Sequence, residues 1–163
     1  MDISPYQISV ADEVLEDLHD RLAKTRWPER ELVEDWSQGI PLSYVQEMCD
    51  YWLHSYDWRQ READLNRFSQ FTTPIQGCDI HFIHQQSSHP EAMPLLLSHG
   101  WPGSVVEFQK VIEPLTNPTE HGGKGEDAFH VVCPSLPGYG FSGKPPHSGW
   151  GVEQMADVFT ELM

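Results

Sequence analysis

Three features of the 163-residue sequence predict an α/β fold. Two short, unbroken apolar runs, residues 93–97 and 129–133, have the length and composition of strands covered on both faces. Apolar residues at helical spacing lie between them (Val105, Phe108, Val111, Ile112, Leu115) and after them (Val152, Met155, Ala156, Phe159, Leu162). Ahead of both, the period is helical, so a helical meander precedes the sheet. Alternation of strand and helix implies parallel pairing with right-handed crossovers.

The meander opens at Asp12, an N-cap residue, after which Val14, Leu15, Leu18 and Leu22 keep helical spacing until Trp27-Pro28. Residues 30–39 are acidic and aperiodic, as in a connecting loop. A second helix starts near Pro41, a residue tolerated in a first turn, and puts Val45, Met48, Cys49, Trp52 and Tyr56 on one face. A third, weaker helix covers residues 58–68, with Ala63 and Leu65 as its small apolar side.

From Phe71 the period becomes extended. Residues 71–75, the turn pair Gln76-Gly77 and residues 79–85 read as a hairpin in which Ile80 and Phe82 share a face. The strand at Pro94 then breaks into His99-Gly100-Trp101-Pro102-Gly103-Ser104, a sharply turned loop. Ser104 reads as an N-cap, and Glu107 three residues on completes a capping box for a helix over 104–116. Residues 117–127 form a polar, Gly-rich loop, and Pro134 ends the strand that follows.

Twenty-five acidic residues against ten basic ones leave a formal charge of -15, which repels nucleic-acid phosphates and anionic lipid alike. The acids are dispersed, as on a solvated surface. Three cysteines without a C-x-x-C pair suggest neither a disulfide framework nor a zinc site and fit a reducing compartment. No segment approaches the roughly 20 apolar residues of a membrane span, so a soluble, cytoplasmic protein without a membrane anchor is expected.

Gly138-x-Gly140-x-x-Gly143 formally matches a dinucleotide-binding fingerprint, but Lys144-Pro145-Pro146 forbids the helix that must open there. These glycines are expected to serve a mobile surface loop. Ser142 follows Gly140 by two but precedes Lys144, so no nucleophile elbow forms around it, and no nucleophile is visible in the chain. His81, His84 and His89 read as surface histidines of the hairpin rather than metal ligands, because 81 and 84 point to opposite faces. His99 reads as a loop-shaping residue that hydrogen-bonds its own turn. The Arg26-Trp27 and Trp58-Arg59 pairs suggest cation–π or helix-docking contacts.

Taken together, several motifs resemble the N-terminal part of the microsomal and juvenile-hormone type epoxide hydrolases of the α/β-hydrolase superfamily. They are Thr25-Arg26-Trp27-Pro28, Tyr51-Trp52, Tyr56-Asp57-Trp58-Arg59, Leu65-Asn66, Ile80-His81-Phe82, the His99–Ser104 loop, and Pro134-Ser135-Leu136-Pro137-Gly138-Tyr139-Gly140-Phe141-Ser142. The resemblance implies a helical wrap over residues 1–68, within a family module extending to about 112, followed over 69–163 by the incomplete opening of an α/β-hydrolase sheet.

It also implies an activity: opening of a small apolar epoxide to a vicinal diol through an alkyl-enzyme ester, with neither metal nor organic cofactor. In that family the loop matching His99–Ser104 gives one backbone donor of the oxyanion hole, which assigns the role to the Trp101 N–H, with His99, Gly100 and Pro102 shaping the loop and Trp101-Pro102 cis. The nucleophile elbow is expected just past Met163, with the histidine and acid beyond it, so the isolated chain is expected to be inactive. Two alternatives are a non-catalytic assembly domain, self-associating through the exposed sheet edge at residues 95–97, and part of another α/β-hydrolase such as a dehalogenase.

Overall fold

The structure is a computed structural model that describes residues 2–163. It divides into two compact units, residues 9–62 and residues 63–163 with the first eight residues.

The 9–62 unit is helical. Helix α1 spans Asp12–Ala23 and α2 spans Leu42–His54. Ala11, not Asp12, is the N-cap of α1, and Asp12 becomes a first-turn acid that suits the positive helix end. Pro41 caps α2 from just outside it. Helix α3, Trp58–Asn66, ends two residues before Phe68. Its expected apolar side does not exist: Leu65 is buried and Ala63 exposed, because positions two apart point to opposite sides of a helix. No residue of α1 or α2 is buried. The apolar face of α2 instead lines an open cleft of about 1010 Å³, where Val45, Met48, Cys49 and Trp52 meet Leu15 and Leu18 of α1.

The second unit is built on a five-stranded sheet. Its strands are β1 (Ser4–Tyr6), β2 (Gln70–Ile75), β3 (Cys78–Gln85), β4 (Met93–Leu96) and β5 (Phe129–Pro134), in the order β1-β2-β3-β5-β4. Strand β1, three residues long and paired antiparallel with β2, has no signal in the sequence. Only β4 and β5 are parallel; the other three ladders are antiparallel, so the expectation of a parallel sheet holds for one pair alone. The three antiparallel ladders come from the long helical segment between β1 and β2, a tight hairpin, and the reach of β5 back onto β3, none of which needs the right-handed crossover of a parallel pair.

Strand β3 lies inside the sheet, and its residues 80–83 are all buried. Ile80 and Ile83, of opposite parity, feed separate apolar clusters. Ile83 joins Phe68, Val105, Ile112, Val131 and Cys133; Ile80 joins Ile75, Cys78 and Val158. The second cluster is closed by helix α5 (Val152–Leu162) through Val158, Phe159 and Leu162. The seated face of α5 is thus rotated from the expected one, with Val158 fully buried and Val152 exposed.

Two other expectations change. Strand β4 is an edge strand, with Met93 60% exposed and residues 95–97 half-buried, so it is not covered on both faces. The helix expected over 104–116 is broken into a 3-10 turn, Val105–Phe108, and the short helix α4, Ile112–Thr116. Pro114 accounts for the break: it has no N–H for the Lys110 carbonyl, and its ring crowds that carbonyl.

Candidate active-site loop

The loop over residues 97–104 leaves the C-terminal end of β4. Leu97 still donates to the Val132 carbonyl of β5 (2.9 Å), after which the chain turns away. His99 is 4% exposed and joins two segments. Its Nε2 accepts the Leu136 N–H at 3.0 Å, which leaves Nδ1 as the protonated nitrogen, 3.2 Å from the Gly100 carbonyl. His99 thus contacts the backbone of its own turn and also ties the loop to the segment after β5.

Beyond His99 the loop closes on itself. Gly103 donates to the Gly100 carbonyl (2.6 Å), and the Trp101-Pro102 peptide between them is cis. The capping box is present: the Ser104 N–H reaches Glu107 Oε1 (3.2 Å), and Ser104 Oγ accepts from the Val106 N–H (3.3 Å). Trp101 stands between these anchors, its side chain 81% exposed. Its backbone N–H donates no hydrogen bond among the described residues, the condition an oxyanion donor needs before substrate arrives.

The glycine-rich segment after β5, expected as a free surface loop, is hydrogen-bonded to the sheet. Gly143 donates to the Asp79 carbonyl (2.7 Å), and Gly138 donates to the Gly143 carbonyl (2.8 Å). Ser142 Oγ donates to the Ser135 carbonyl (2.8 Å) and accepts the His81 N–H (2.9 Å). No helix opens at Gly143, in keeping with the rejected dinucleotide fingerprint.

His81 overturns its reading as a surface residue: it is fully buried. Its Nε2 lies 2.8 Å from Gln70 Oε1 and its Nδ1 2.9 Å from Ser135 Oγ. The rings of Tyr6 and Phe141 stand edge-on to the imidazole, at 5.0 and 5.3 Å. Burial pushes the His81 pKa down to about 4, so the ring is neutral. Period-two reasoning places His81 opposite Ile80 but cannot tell that both faces of β3 are covered. His84 and His89 are half-buried, and among the described residues no group of His, Cys, Asp or Glu is arranged to hold a metal ion.

The three cysteines are free thiols. Burial pushes the Cys133 thiol up to about 12, which leaves it protonated and poorly nucleophilic at neutral pH. Arg59 bonds Asp12 of α1 and Glu62, and Trp58 Nε1 donates to Glu62, so of the two expected contacts the Trp58-Arg59 pair makes helix docking, through carboxylates, and not arginine–tryptophan stacking. A cation–π contact forms instead between Arg67 and the Phe68 ring (4.7 Å). Among the described residues no helix is long and apolar enough to cross a membrane.

Comparison with known proteins gives this geometry its family. Residues 3–108 match the family described as epoxide hydrolase N terminus, and residues 93–163 match the alpha/beta hydrolase fold. A putative epoxide hydrolase of Stigmatella aurantiaca is 56% identical over 99% of this chain, which spans 37% of that relative's length. The epoxide hydrolase of Aspergillus niger superposes with a TM-score of 0.87 at 38% identity, over all of this chain and 43% of that one. The juvenile hormone epoxide hydrolase of the silkworm Bombyx mori gives 0.89 at 33% identity, over 99% of this chain and 38% of that one. The chain belongs to the epoxide hydrolase family, carrying its N-terminal module and the opening part of the alpha/beta hydrolase fold.

Proposed function

We propose that this chain forms the N-terminal part of an enzyme that converts a small apolar epoxide to a vicinal diol, and that the Trp101 N–H is one of its oxyanion donors. In this reaction a carboxylate attacks an epoxide carbon, the C–O bond breaks as the oxygen is protonated, and water then hydrolyses the alkyl ester. The second step builds negative charge on the former carbonyl oxygen. A preorganised N–H aimed at that oxygen is worth ~3–4 kcal/mol. The unengaged Trp101 N–H, on a loop anchored by His99 on one side and Ser104 on the other, is the observation that carries this reading. Residues 1–68 serve as the helical wrap and 69–163 as the start of the catalytic core. The free thiols support a cytoplasmic location.

The test joins residues 1–163 to the remaining two thirds of the Stigmatella aurantiaca relative. The joined protein is expected to form diol from styrene oxide, whereas the 163-residue chain alone gives no turnover. Replacing the Trp101 amide by an ester through semisynthesis removes the N–H and keeps every side chain. Hydrolysis of the alkyl-enzyme should slow about 10²–10³-fold, with the covalent intermediate visible by mass spectrometry. An unchanged hydrolysis rate removes Trp101 from the oxyanion hole.

A second reading, self-assembly, rests on β4, whose outer edge has no strand beside it among the described residues. Its test is the oligomeric state of the isolated chain.

A further inference from the structure

We infer that His81 and Ser135 are positioning residues for the Trp101 loop, acting through Leu136 and His99. The inference rests on the reading of Trp101 as an oxyanion donor only for its catalytic consequence; the coupling itself is a property of this chain.

The hydrogen-bond directions follow from one amide. Gln70 donates from Nε2 to the Leu65 carbonyl (3.0 Å) and to Asn66 Oδ1 (3.3 Å), so its Oε1 is left as an acceptor. His81 therefore donates from Nε2 to Gln70 and must accept at Nδ1, which Ser135 Oγ–H supplies. Asn66 closes the far end, accepting the Ile8 N–H (2.9 Å) and donating to the Ile8 carbonyl (2.8 Å). The result is a one-way series from Ser135 through His81 and Gln70 to the end of α3, with Gln70, His81 and Ser135 all buried.

Ser135 is the residue before Leu136. Its backbone is fixed as well: its N–H donates to the His81 carbonyl (2.8 Å) and its carbonyl accepts from Ser142 Oγ (2.8 Å). Both faces of the 135–136 peptide are thereby constrained, and the Leu136 N–H meets His99 Nε2. His81 and His99 take opposite tautomers, Nε2–H and Nδ1–H, the first dictated by Gln70 of β2 and the second by the Leu136 N–H after β5. Gly140 belongs to the same device. A Cβ there would lie 2.9 Å from Ser135 Oγ, so only glycine leaves the hydroxyl its position.

The experiment uses the full 163-residue chain with ¹⁵N-labelled histidine and backbone. Ser135→Ala removes the hydroxyl and no backbone bond. The expected result is about tenfold faster exchange of the Leu136 amide, with the His99 ring nitrogens moving from distinct Nδ1–H and Nε2 signals toward averaged ones. Gln70→Ala, which removes the far anchor, should move the same two reporters and serves if Ser135→Ala does not fold. Thr73→Val, elsewhere in the sheet, removes a buried hydroxyl that has no partner among the described residues and should leave both reporters still, separating positioning from general loosening. The inference is overturned if Ser135→Ala or Gln70→Ala shifts His81 while Leu136 and His99 keep their wild-type signals. It is equally overturned if Thr73→Val moves them as much. An unchanged rate in the amide-to-ester experiment instead defeats the oxyanion reading and leaves these signals unaffected.

Discussion

The carboxylate of Glu107 occupies the volume that a side chain at position 103 would fill. The same carboxylate accepts the Ser104 N–H, so glycine at 103 and glutamate at 107 are two halves of one cap. Gly103→Ala is expected to expel the carboxylate and lose the capping box, at a cost of about 1–2 kcal/mol. Thermal unfolding measures it. Glu107→Ala combined with Gly103→Ala should cost less than the sum of the two single changes, because the clash disappears with the carboxylate.

His81 makes stability depend on pH. Its pKa in the fold is about 4 against an ordinary 6.5, so the fold disfavours the imidazolium. The unfolded chain binds the extra proton first. Stability is therefore complete above about pH 6.5 and falls as the pH drops toward about 4, by roughly 1.4 kcal/mol per pH unit inside that window. His84, pushed down by its burial and by His130, acts in the same direction. Urea midpoints between about pH 7 and pH 4.5 should show this slope, and His81→Gln should flatten it. A wild-type slope in His81→Gln would assign the effect to other groups.

What was legible in the sequence was local. The Ser104–Glu107 box, the Gln76-Gly77 turn and the strand before Pro134 each follow from residues within a few positions of one another. His81 was not legible, since its burial needs β5, which pairs Phe82 with Pro134, to arrive from far along the chain. The seated face of α5 departs from its apolar period for a related reason: Val152 fits that period, but the cluster under the helix is set by Ile75, Cys78 and Ile80 and takes Val158 beside Phe159 and Leu162. The break ahead of α4 was written in Pro114, where apolar spacing conflicted with a missing donor. In the candidate site, His99 and Glu107 were visible as loop and cap. The network behind them was not, because Gln70, His81 and Ser135 meet only in the folded sheet.

The hairpin turn holds a correctable strain. Gln76 has φ 50° and Gly77 φ 79°, so both turn residues are left-handed, and the first carries a side chain. Two-residue hairpin turns of this kind favour Asn-Gly. Gln76→Asn should stabilise the protein by about 0.5–1 kcal/mol, less whatever the exposed Gln154 contact contributes. Gly77→Ala should destabilise it. Paired thermal melts decide both, and a Gln76→Asn melt below wild type would show that the Gln154 contact outweighs the turn.

Strand β4 lies at the edge of the sheet, and the proposed self-assembly is expected to run through it. Met93 and Leu97 direct their N–H groups to β5, and strand alternation then turns the Leu96 N–H outward, to the open edge. The edge is apolar, with Met93 exposed beside it and no charged residue among positions 93–97. Such an edge pairs with a second strand. Light scattering of the 163-residue chain should show association that rises with concentration in the micromolar range. Leu96→Pro deletes the outward donor and keeps those that face β5, so it should give a monomer with an unchanged far-ultraviolet spectrum. Met93→Lys, which charges the same edge, should do the same. A wild-type chain that stays monomeric at every concentration, or a Leu96→Pro chain that still associates, would place the contact elsewhere than β4.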